Sequence, residues 1–324
     1  MVDTVSTMQQ RFLGATGLSV SRLGLGTMTW GRDTDEHEAR AQLSAFVEAG
    51  GTLVDTAAGY TDGDSERLVG SLIGDVCARD EIVLATKAGI GRRGTERFTD
   101  VSRGHLISSL NASLSRLGVD HVDVWQVHTW ADEAPLEETL SALDHAVSTG
   151  KAAYVGISNY SGWQSAQAAT WQRAVPGRAT LASHQVEYSL LNRSVEAETI
   201  PAARALGLGV LPWSPLGRGV LTGKYRGGTP ADSRAASPHF SSFVGRYLDE
   251  HSQRVVEAVA RAADGLGWSL LEVALAWVRD RPGVTAPIVG ARTAAQLRQV
   301  LAVEQRTLPP ELMEALDDAS SERR

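Results

Sequence analysis

The sequence holds a single cysteine, Cys77, among its 324 residues. One cysteine cannot form an internal disulfide, so a disulfide framework is excluded and a reducing compartment such as the cytoplasm fits best. Basic residues are also in deficit, because 31 lysines and arginines face 38 aspartates and glutamates, for a net charge of −7. This balance argues against nucleic acid or a membrane surface as a partner, since both attract a basic face.

Long apolar runs are absent as well. No window approaches the ~20 apolar residues that a membrane-spanning helix needs. The first residues, Met1–Gln10, lack the basic cluster and the apolar stretch of a signal peptide. We therefore expect a soluble, cytoplasmic protein. Hydrophobic residues make up 43% of the chain, enough for a large core, and no linker rich in proline, glycine or serine divides it. We expect a single domain over residues 1–324.

Short strand-like segments alternate with helix-like segments along the whole chain. Eight apolar segments predict strands: Leu23–Thr27, Leu53–Asp55, Ile82–Lys87, Val122–His128, Ala152–Ser158, Leu181–Val186, Gly209–Trp213 and Thr285–Val289. Successive βα units predict an α/β fold, a closed (β/α)8 TIM barrel, with functional residues at the carboxyl ends of the strands. Arg11–Ser21 predicts an N-terminal β-hairpin at one end of the barrel. Arg218–Asp249 predicts a long loop after strand seven, typical of a lid or binding loop.

Three consecutive predicted strands end in ionisable residues, Asp55, Lys87 and His128, and Tyr60 follows shortly after Asp55. A lone buried charge is costly, so we expect these side chains to be partners. A free tyrosine titrates near pH 10, and a nearby ammonium typically shifts such a pKa by about 1–3 units. Lys87, held by Asp55, can therefore help Tyr60 act as a general acid, while His128 orients a carbonyl oxygen. The pattern predicts a proton-transfer site on one rim of the barrel.

Five stretches, in order along the chain, resemble the aldo-keto reductase superfamily: Asp55–Tyr60, Ala85–Lys87, Val122–His128, Gly156–Asn159 and Trp213–Gly219. The resemblance runs from about Arg11 to Leu316. It implies an oxidoreductase of the alcohol dehydrogenase type, acting on CH-OH donors, that reduces an aldehyde or ketone with NADPH. It also implies a tetrad of Asp55, Tyr60, Lys87 and His128, with Tyr60 as the proton donor and no metal.

The resemblance further implies a set of cofactor contacts. Ser158, Asn159 and Gln185 would bond the nicotinamide carboxamide, Trp213 and Ser214 would cover the ring, and Thr27, Met28 and Asp55 would lie along the nicotinamide half. The remaining implied contacts are Leu216, Gly217, Gly219 and Lys224 at the pyrophosphate, Arg234 at a phosphate, and Gly290, Arg292 and Gln296 at the adenosine 2′-phosphate. The family often has Glu and Asn where this chain has Gln299 and Val300, so the adenine contact stays open.

Two other functions stay open. Trp213 and the stretch 217–234 resemble the branch that contains the potassium-channel beta subunits and bacterial aldo/keto reductases, so an NADPH-binding interaction subunit is one alternative. Those subunits lack a histidine at the position of His128, and its presence favours catalysis. A Schiff-base lyase using Lys87 is a further alternative. Trp30 and Trp130 follow strands one and four, and are candidates for the substrate pocket beside Tyr60 or for simple packing. A small carbonyl substrate is expected, and an oligomer is compatible with the sequence.

Overall fold

The computed structural model of the protein describes residues 8–94, 96–231, 233–237 and 241–321. Within these residues the strands are β1 (Gln10–Phe12), β2 (Ser19–Ser21), β3 (Gly24–Gly26), β4 (Leu53–Asp55), β5 (Val83–Ala88), β6 (Ile90–Arg93), β7 (Glu96–Thr99), β8 (Val122–Val127), β9 (Ala152–Ser158), β10 (Leu181–Glu187), β11 (Gly209–Trp213) and β12 (Ile288–Val289). The α-helices are α1 (Glu36–Glu48), α2 (Asp64–Leu72), α3 (Arg103–Leu117), α4 (Leu136–Ser148), α5 (Gly162–Ala174), α6 (Thr199–Ala205), α7 (Ser241–Gly245), α8 (Glu250–Leu266), α9 (Leu270–Arg279), α10 (Ala294–Leu301) and α11 (Pro310–Ala319).

Eight of the strands close into a parallel barrel in the order β3-β4-β5-β8-β9-β10-β11-β12. The circle closes where Ile288 of β12 pairs with Gly24 of β3. Between neighbours, Asp55 pairs with Ala85 and Lys87 pairs with Gln126. The predicted (β/α)8 TIM barrel is thus confirmed, and the carboxyl ends of its strands meet at one rim.

Apolar side chains fill both sides of the barrel wall. Inside lies a cluster that includes Leu53, Val124 and Leu211, and a larger cluster packs between the strands and the helices. Helix α8 shows how the sequence sets this outer layer. The Asp249 carboxylate accepts the Ser252 N–H at its start, and it ends at Gly267 in left-handed conformation, with valines and alanines at helical spacing buried between. No helix in the described ranges is both long and apolar enough to cross a membrane.

The N-terminal hairpin β1–β2, as predicted, closes one end of the barrel. Leu13 and Val20 are fully buried within the interior cluster. The hairpin turn is fastened to the amino end of β11, because the Ala15 N–H donates to the Gly207 carbonyl at 2.8 Å. Gly14 packs so closely here that a Cβ would lie 2.3 Å from the Gly207 carbonyl oxygen, and its φ is +58°. The hairpin therefore seals the end of the barrel opposite the functional rim.

We predict that Gly14→Ala destabilises the fold by about 2 kcal/mol or more, because the methyl group meets backbone atoms and the left-handed conformation disfavours alanine. Thermal unfolding measures the change. Gly17→Ala in the same turn is the matched control, since a Cβ there meets no atom within 4 Å. We expect it to stay within about 0.5 kcal/mol of the parent protein. Equal melting temperatures for the two variants would contradict this packing.

Three local features differ from the sequence-based expectation. The last strand is shorter than Thr285–Val289 and comprises only Ile288–Val289, because Pro287 has no N–H to offer a ladder. The stretch 89–100, expected to be a loop, contains the antiparallel hairpin β6–β7. The long loop after β11 is present but partly helical, with turns at Gly217–Thr222 and Arg234–Ala236 and helix α7.

Candidate active site

Three barrel strands deliver ionisable side chains to one rim. Asp55 ends β4, Lys87 lies near the end of β5, and His128 directly follows β8. Tyr60 comes from the loop after β4, which is tied to the neighbouring strand because the Ala58 N–H donates to the Lys87 carbonyl at 2.9 Å. The structure therefore brings together the four side chains that the sequence singled out.

The Lys87 ammonium is the centre of this group. It donates to Asp55 Oδ2 at 2.6 Å, to the Thr56 carbonyl at 2.8 Å and to the Tyr60 hydroxyl at 3.4 Å. The other Asp55 oxygen accepts from Gln185 Nε2 at 2.9 Å. Lys87 is 0% exposed and Asp55 is 1% exposed. Both buried charges are therefore paired and hydrogen-bonded, as burial requires.

The ion pair sets the protonation of its neighbours. Burial alone would lower the pKa of Lys87, but Asp55 and Tyr60 raise it, and the net shift is upward. Burial raises the pKa of Tyr60, the Lys87 ammonium lowers it and the Asp55 carboxylate raises it again, so the net shift is also upward. Lys87 thus opposes the effect of burial on Tyr60 but does not overcome it. At neutral pH the site holds an ammonium and a protonated phenol.

His128 is the fourth member of the group. Its ring lies edge-on to the Tyr60 ring, with centroids 5.9 Å apart and planes at 79°. Burial, followed by the charges of Lys87 and Arg97, holds the pKa of His128 well below its ordinary value. Its Nδ1 atom is buried and has no hydrogen-bond partner in the described part of the chain. His128 is therefore a neutral imidazole at neutral pH.

A cavity of about 1270 Å³ opens over these residues and continues along the rim. It is large enough for a dinucleotide and a small molecule together. The side chains that the sequence assigned to a cofactor and that line this cavity are Met28, Asp55, Ser158, Asn159, Gln185, Trp213, Ser214, Leu216, Gly219, Lys224, Gly290, Arg292 and Gln296. Gln299 and Val300, the two positions with a departing residue type, line it as well.

Four of these side chains form a connected network beside His128. Asn159 donates from Nδ2 to the His128 carbonyl at 2.9 Å and to Ser158 Oγ at 3.1 Å. Its Oδ1 atom accepts from the Trp213 indole N–H at 3.0 Å. Ser158 Oγ donates to the Gln185 carbonyl at 2.9 Å. Amide and hydroxyl groups are thereby fixed in place next to the proton-transfer residues.

Some expected contacts are not at the cavity wall. Thr27 is fully buried, with its hydroxyl bonded to Ser65 and the Asp55 carbonyl, and Gly217 is buried beneath the loop. Trp30 was a candidate for the substrate pocket, but it is 0% exposed and its indole N–H donates to Gln42. A side chain without exposed surface cannot contact a substrate, so Trp30 belongs to the core. The side chain of Arg234 lies outside the described residues.

Trp130 also stands apart from the cavity wall. It packs edge-on against Tyr160 and Trp163, with centroid distances of 5.1 and 5.6 Å, and its indole N–H donates to Asp132 at 2.6 Å. This aromatic group stiffens the loop after β8. The packing alternative for Trp130 therefore describes its position better than the substrate-pocket alternative.

Sequence reasoning missed the role of Arg218. Its guanidinium forms two hydrogen bonds with Glu187, at 2.7 and 2.8 Å, donates to the Phe243 carbonyl at 2.5 Å, and lies 3.7 Å from the centroid of the Phe243 ring. The Tyr247 hydroxyl donates to the same Glu187 carboxylate at 3.0 Å. Arg218 thus fastens the segment around α7 to the end of β10. Its position between two glycines with left-handed backbone was the available signal.

The start of α10 closes the far end of the cavity. Thr293 caps the helix by accepting the Gln296 N–H at 3.3 Å, and the Arg292 N–H donates to Gln296 Oε1 at 3.0 Å. The Glu38 carboxylate accepts the Ala294 N–H at 2.6 Å. One free amide of the helix end is therefore already occupied by an acid, which leaves Arg292 as the group suited to an anion.

A parallel eight-stranded barrel with an ion-paired lysine, a tyrosine and a neutral histidine at the carboxyl rim defines a class of barrel enzyme built for proton transfer beside a long cavity. Comparison with known proteins identifies the family within that class. The sequence model of the Aldo/keto reductase family matches residues 22–321, and the chain belongs to this family.

Similar proteins include enzymes and channel subunits. An uncharacterized oxidoreductase of Bacillus subtilis (strain 168) is 37% identical, over 96% of this chain and 95% of its own length. A probable voltage-gated potassium channel subunit beta of Oryza sativa is 37% identical, over 90% and 89%. The L-glyceraldehyde 3-phosphate reductase of Escherichia coli (strain K12) is 34% identical, over 90% and 86%. The expected branch of the family is confirmed.

We predict that Asp55→Asn destabilises the protein by about 3–5 kcal/mol, because it leaves the Lys87 ammonium buried without a counter-charge. Chemical or thermal unfolding measures the loss. Asp62→Asn is the matched control, since Asp62 lines the same cavity but is exposed, and we expect a change within about 0.5 kcal/mol. A loss for Asp55→Asn no larger than that of the control would show that the pair is not buried as described.

We also predict that His128 stays neutral well below its ordinary pKa. The unfolded chain protonates this histidine as the pH falls through about 6.5, whereas the folded chain does so only at lower pH. The stability that neutral His128 contributes is therefore lost as the pH falls below about 6.5. NMR titration of the histidine ring carbons, assigned with His128→Asn, measures the midpoint, which we expect to rise in Lys87→Met. Titration of wild-type His128 at or above pH 6.5 would disprove the described burial.

Proposed function

We propose that the protein reduces an aldehyde or ketone to an alcohol with NADPH, and that Tyr60 is the general acid. The observation that carries this proposal is the Lys87 ammonium, held by Asp55 at 2.6 Å and reaching the Tyr60 hydroxyl at 3.4 Å at the base of the cavity. This arrangement keeps the phenol protonated at neutral pH and places a cation where negative charge develops when its proton leaves.

Each member of the tetrad has a distinct part. Tyr60 donates its proton to the carbonyl oxygen, and the Lys87 ammonium stabilises the phenolate that remains. Asp55 holds Lys87 and prevents an unpaired buried charge. His128, as a neutral imidazole, can donate one ring N–H to the same carbonyl oxygen and so orient it beside Tyr60.

The residues along the cavity fit NADPH. When bound, the cofactor would supply the hydride for the carbonyl carbon. The donors and acceptors of Ser158, Asn159 and Gln185 match a carboxamide, and they sit beside His128 and Asp55 in a fixed network. Trp213 offers an indole face next to them. A primary amide bound there would have one ring face toward the Tyr60 end of the cavity, which makes hydride delivery stereospecific.

The loop after β11 and the start of α10 suit the phosphates. Lys224 and the glycine-rich turn Gly217–Thr222 form the wall of the middle section, and left-handed residues there expose backbone N–H groups of the kind that bind anions. Arg292 supplies a guanidinium at the adenosine end, where a fork of donors suits a 2′-phosphate. We therefore propose NADPH in preference to NADH.

Two alternatives fare less well. A Schiff-base lyase needs a neutral lysine, but Lys87 donates three hydrogen bonds and its pKa is raised. The similarity to probable channel beta subunits suggests an NADPH-binding interaction subunit. The neutral His128 beside Tyr60 favours catalysis over that function, because a purely structural subunit has no need of a positioned proton donor.

We predict that Tyr60→Phe lowers kcat/KM for aldehyde reduction by roughly 10²–10⁴-fold and leaves NADPH affinity unchanged, because only the acid is removed. NADPH oxidation with simple aldehydes measures the first, and quenching of tryptophan fluorescence measures the second. Tyr154→Phe, a tyrosine on β9 outside the cavity lining, is the matched control and should keep parental activity. Wild-type turnover by Tyr60→Phe would refute the assignment of roles.

A further inference from the structure

The hairpin β6–β7 rises directly from the strand that carries Lys87. Gly89 makes the turn into it with a φ of +108°, and its base is closed by the Asp100 N–H, which donates to the Gly89 carbonyl at 2.9 Å. Ile90 lies against the loop that leads to Tyr60, because a Cβ on Gly59 would be 2.6 Å from the Ile90 carbonyl oxygen. The hairpin is therefore fixed at the edge of the proton-transfer site.

The two faces of the hairpin differ in chemistry. On one face the Phe98 ring covers Gly91 and stacks edge-on with His105 of α3 at 5.5 Å, so that face packs against the barrel. Side chains alternate along a strand, so Arg92 and Arg97 share the opposite face with Ile90. These three residues line the cavity together with Tyr60 and His128.

Arg92 and Arg97 lie directly opposite each other on the paired strands. Like charges in this relation destabilise a hairpin, so their position needs a reason outside the hairpin. Acidic groups nearby do not cancel them, since Asp55 is committed to Lys87, and Asp62 brings a single negative charge to the same wall. Arg97 is near enough for its charge to act on His128. The substrate end of the cavity is therefore electropositive.

We propose that the substrate is a carbonyl compound that also carries an anionic group, a phosphate or a carboxylate, which Arg97 and Arg92 bind while the carbonyl lies at Tyr60. The inference rests on the proposed carbonyl reduction. A guanidinium presents a planar fork of donors that matches both anions. An electropositive mouth also raises the rate at which an anion enters.

The experiment compares matched pairs of aldehydes. Succinic semialdehyde is paired with its neutral methyl ester, methyl 4-oxobutanoate, and glycolaldehyde phosphate with glycolaldehyde. For the wild-type enzyme we expect kcat/KM to be about tenfold to a hundredfold higher for a charged member than for its neutral partner, because hydrogen bonds to charged groups are strong. The pair with the larger ratio identifies the anion as phosphate or carboxylate. High salt should reduce the ratio.

Variants assign the effect to the hairpin. Arg97→Gln and Arg92→Gln should each lower the charged-to-neutral ratio about tenfold, mainly through KM. Arg254→Gln, an exposed arginine on α8 away from the cavity, is the matched control and should keep the ratio. Equal kcat/KM for charged and neutral partners in the wild type would overturn the anion site and leave carbonyl reduction in place. Absence of turnover with all four aldehydes would overturn the proposed reduction, and this inference with it.

Discussion

The buried ion pair between Lys87 and Asp55 is the interaction on which the rest of the site depends. Two opposite charges with almost no exposed surface are tolerable only when each has partners for its remaining donors and acceptors. Thr56, Tyr60 and Gln185 supply them, from the end of β4 and from across the barrel. The barrel must therefore close, in the correct register, before the pair can form. Fold and chemistry are in this sense a single constraint, because the strands that make the barrel also deliver the charges.

The other rim residues take their positions from that centre. His128 is neutral because burial and nearby positive charge both disfavour its protonated form, and Asn159 ties its backbone to the network that ends at Trp213. Further out, Arg218 connects Glu187 at the end of β10 to the segment around α7. A cavity bordered by fixed side chains on the barrel and by a fastened loop suits a long cofactor that must be held while a small substrate exchanges. Membership of the aldo/keto reductase family agrees with this arrangement.

The sequence predicts much of this, for physical reasons. Alternating apolar segments predicted the barrel, and the ends of strands predicted Asp55, Lys87 and His128, because parallel strands place their carboxyl ends at one rim. It could not predict orientation that depends on packing, and Trp30 is accordingly in the core against Gln42. The hairpin β6–β7 was missed because its alternation spans only Ile90–Arg93 and Glu96–Thr99, although Gly94 between them is a turn signal. Pro287 explains why the last strand is shorter than its apolar run suggests.

The most direct test of the central claim is the pH profile of alcohol oxidation with NADP⁺ in the wild type and in Lys87→Met. In that direction Tyr60 must accept a proton, so kcat/KM rises with pH until the phenol ionises. The Lys87 ammonium lowers the pKa of Tyr60 against the effect of burial, and we therefore predict that this rise moves to higher pH when the ammonium is removed. A rise at the same pH in both proteins would contradict the claim that Lys87, held by Asp55, governs the proton on Tyr60.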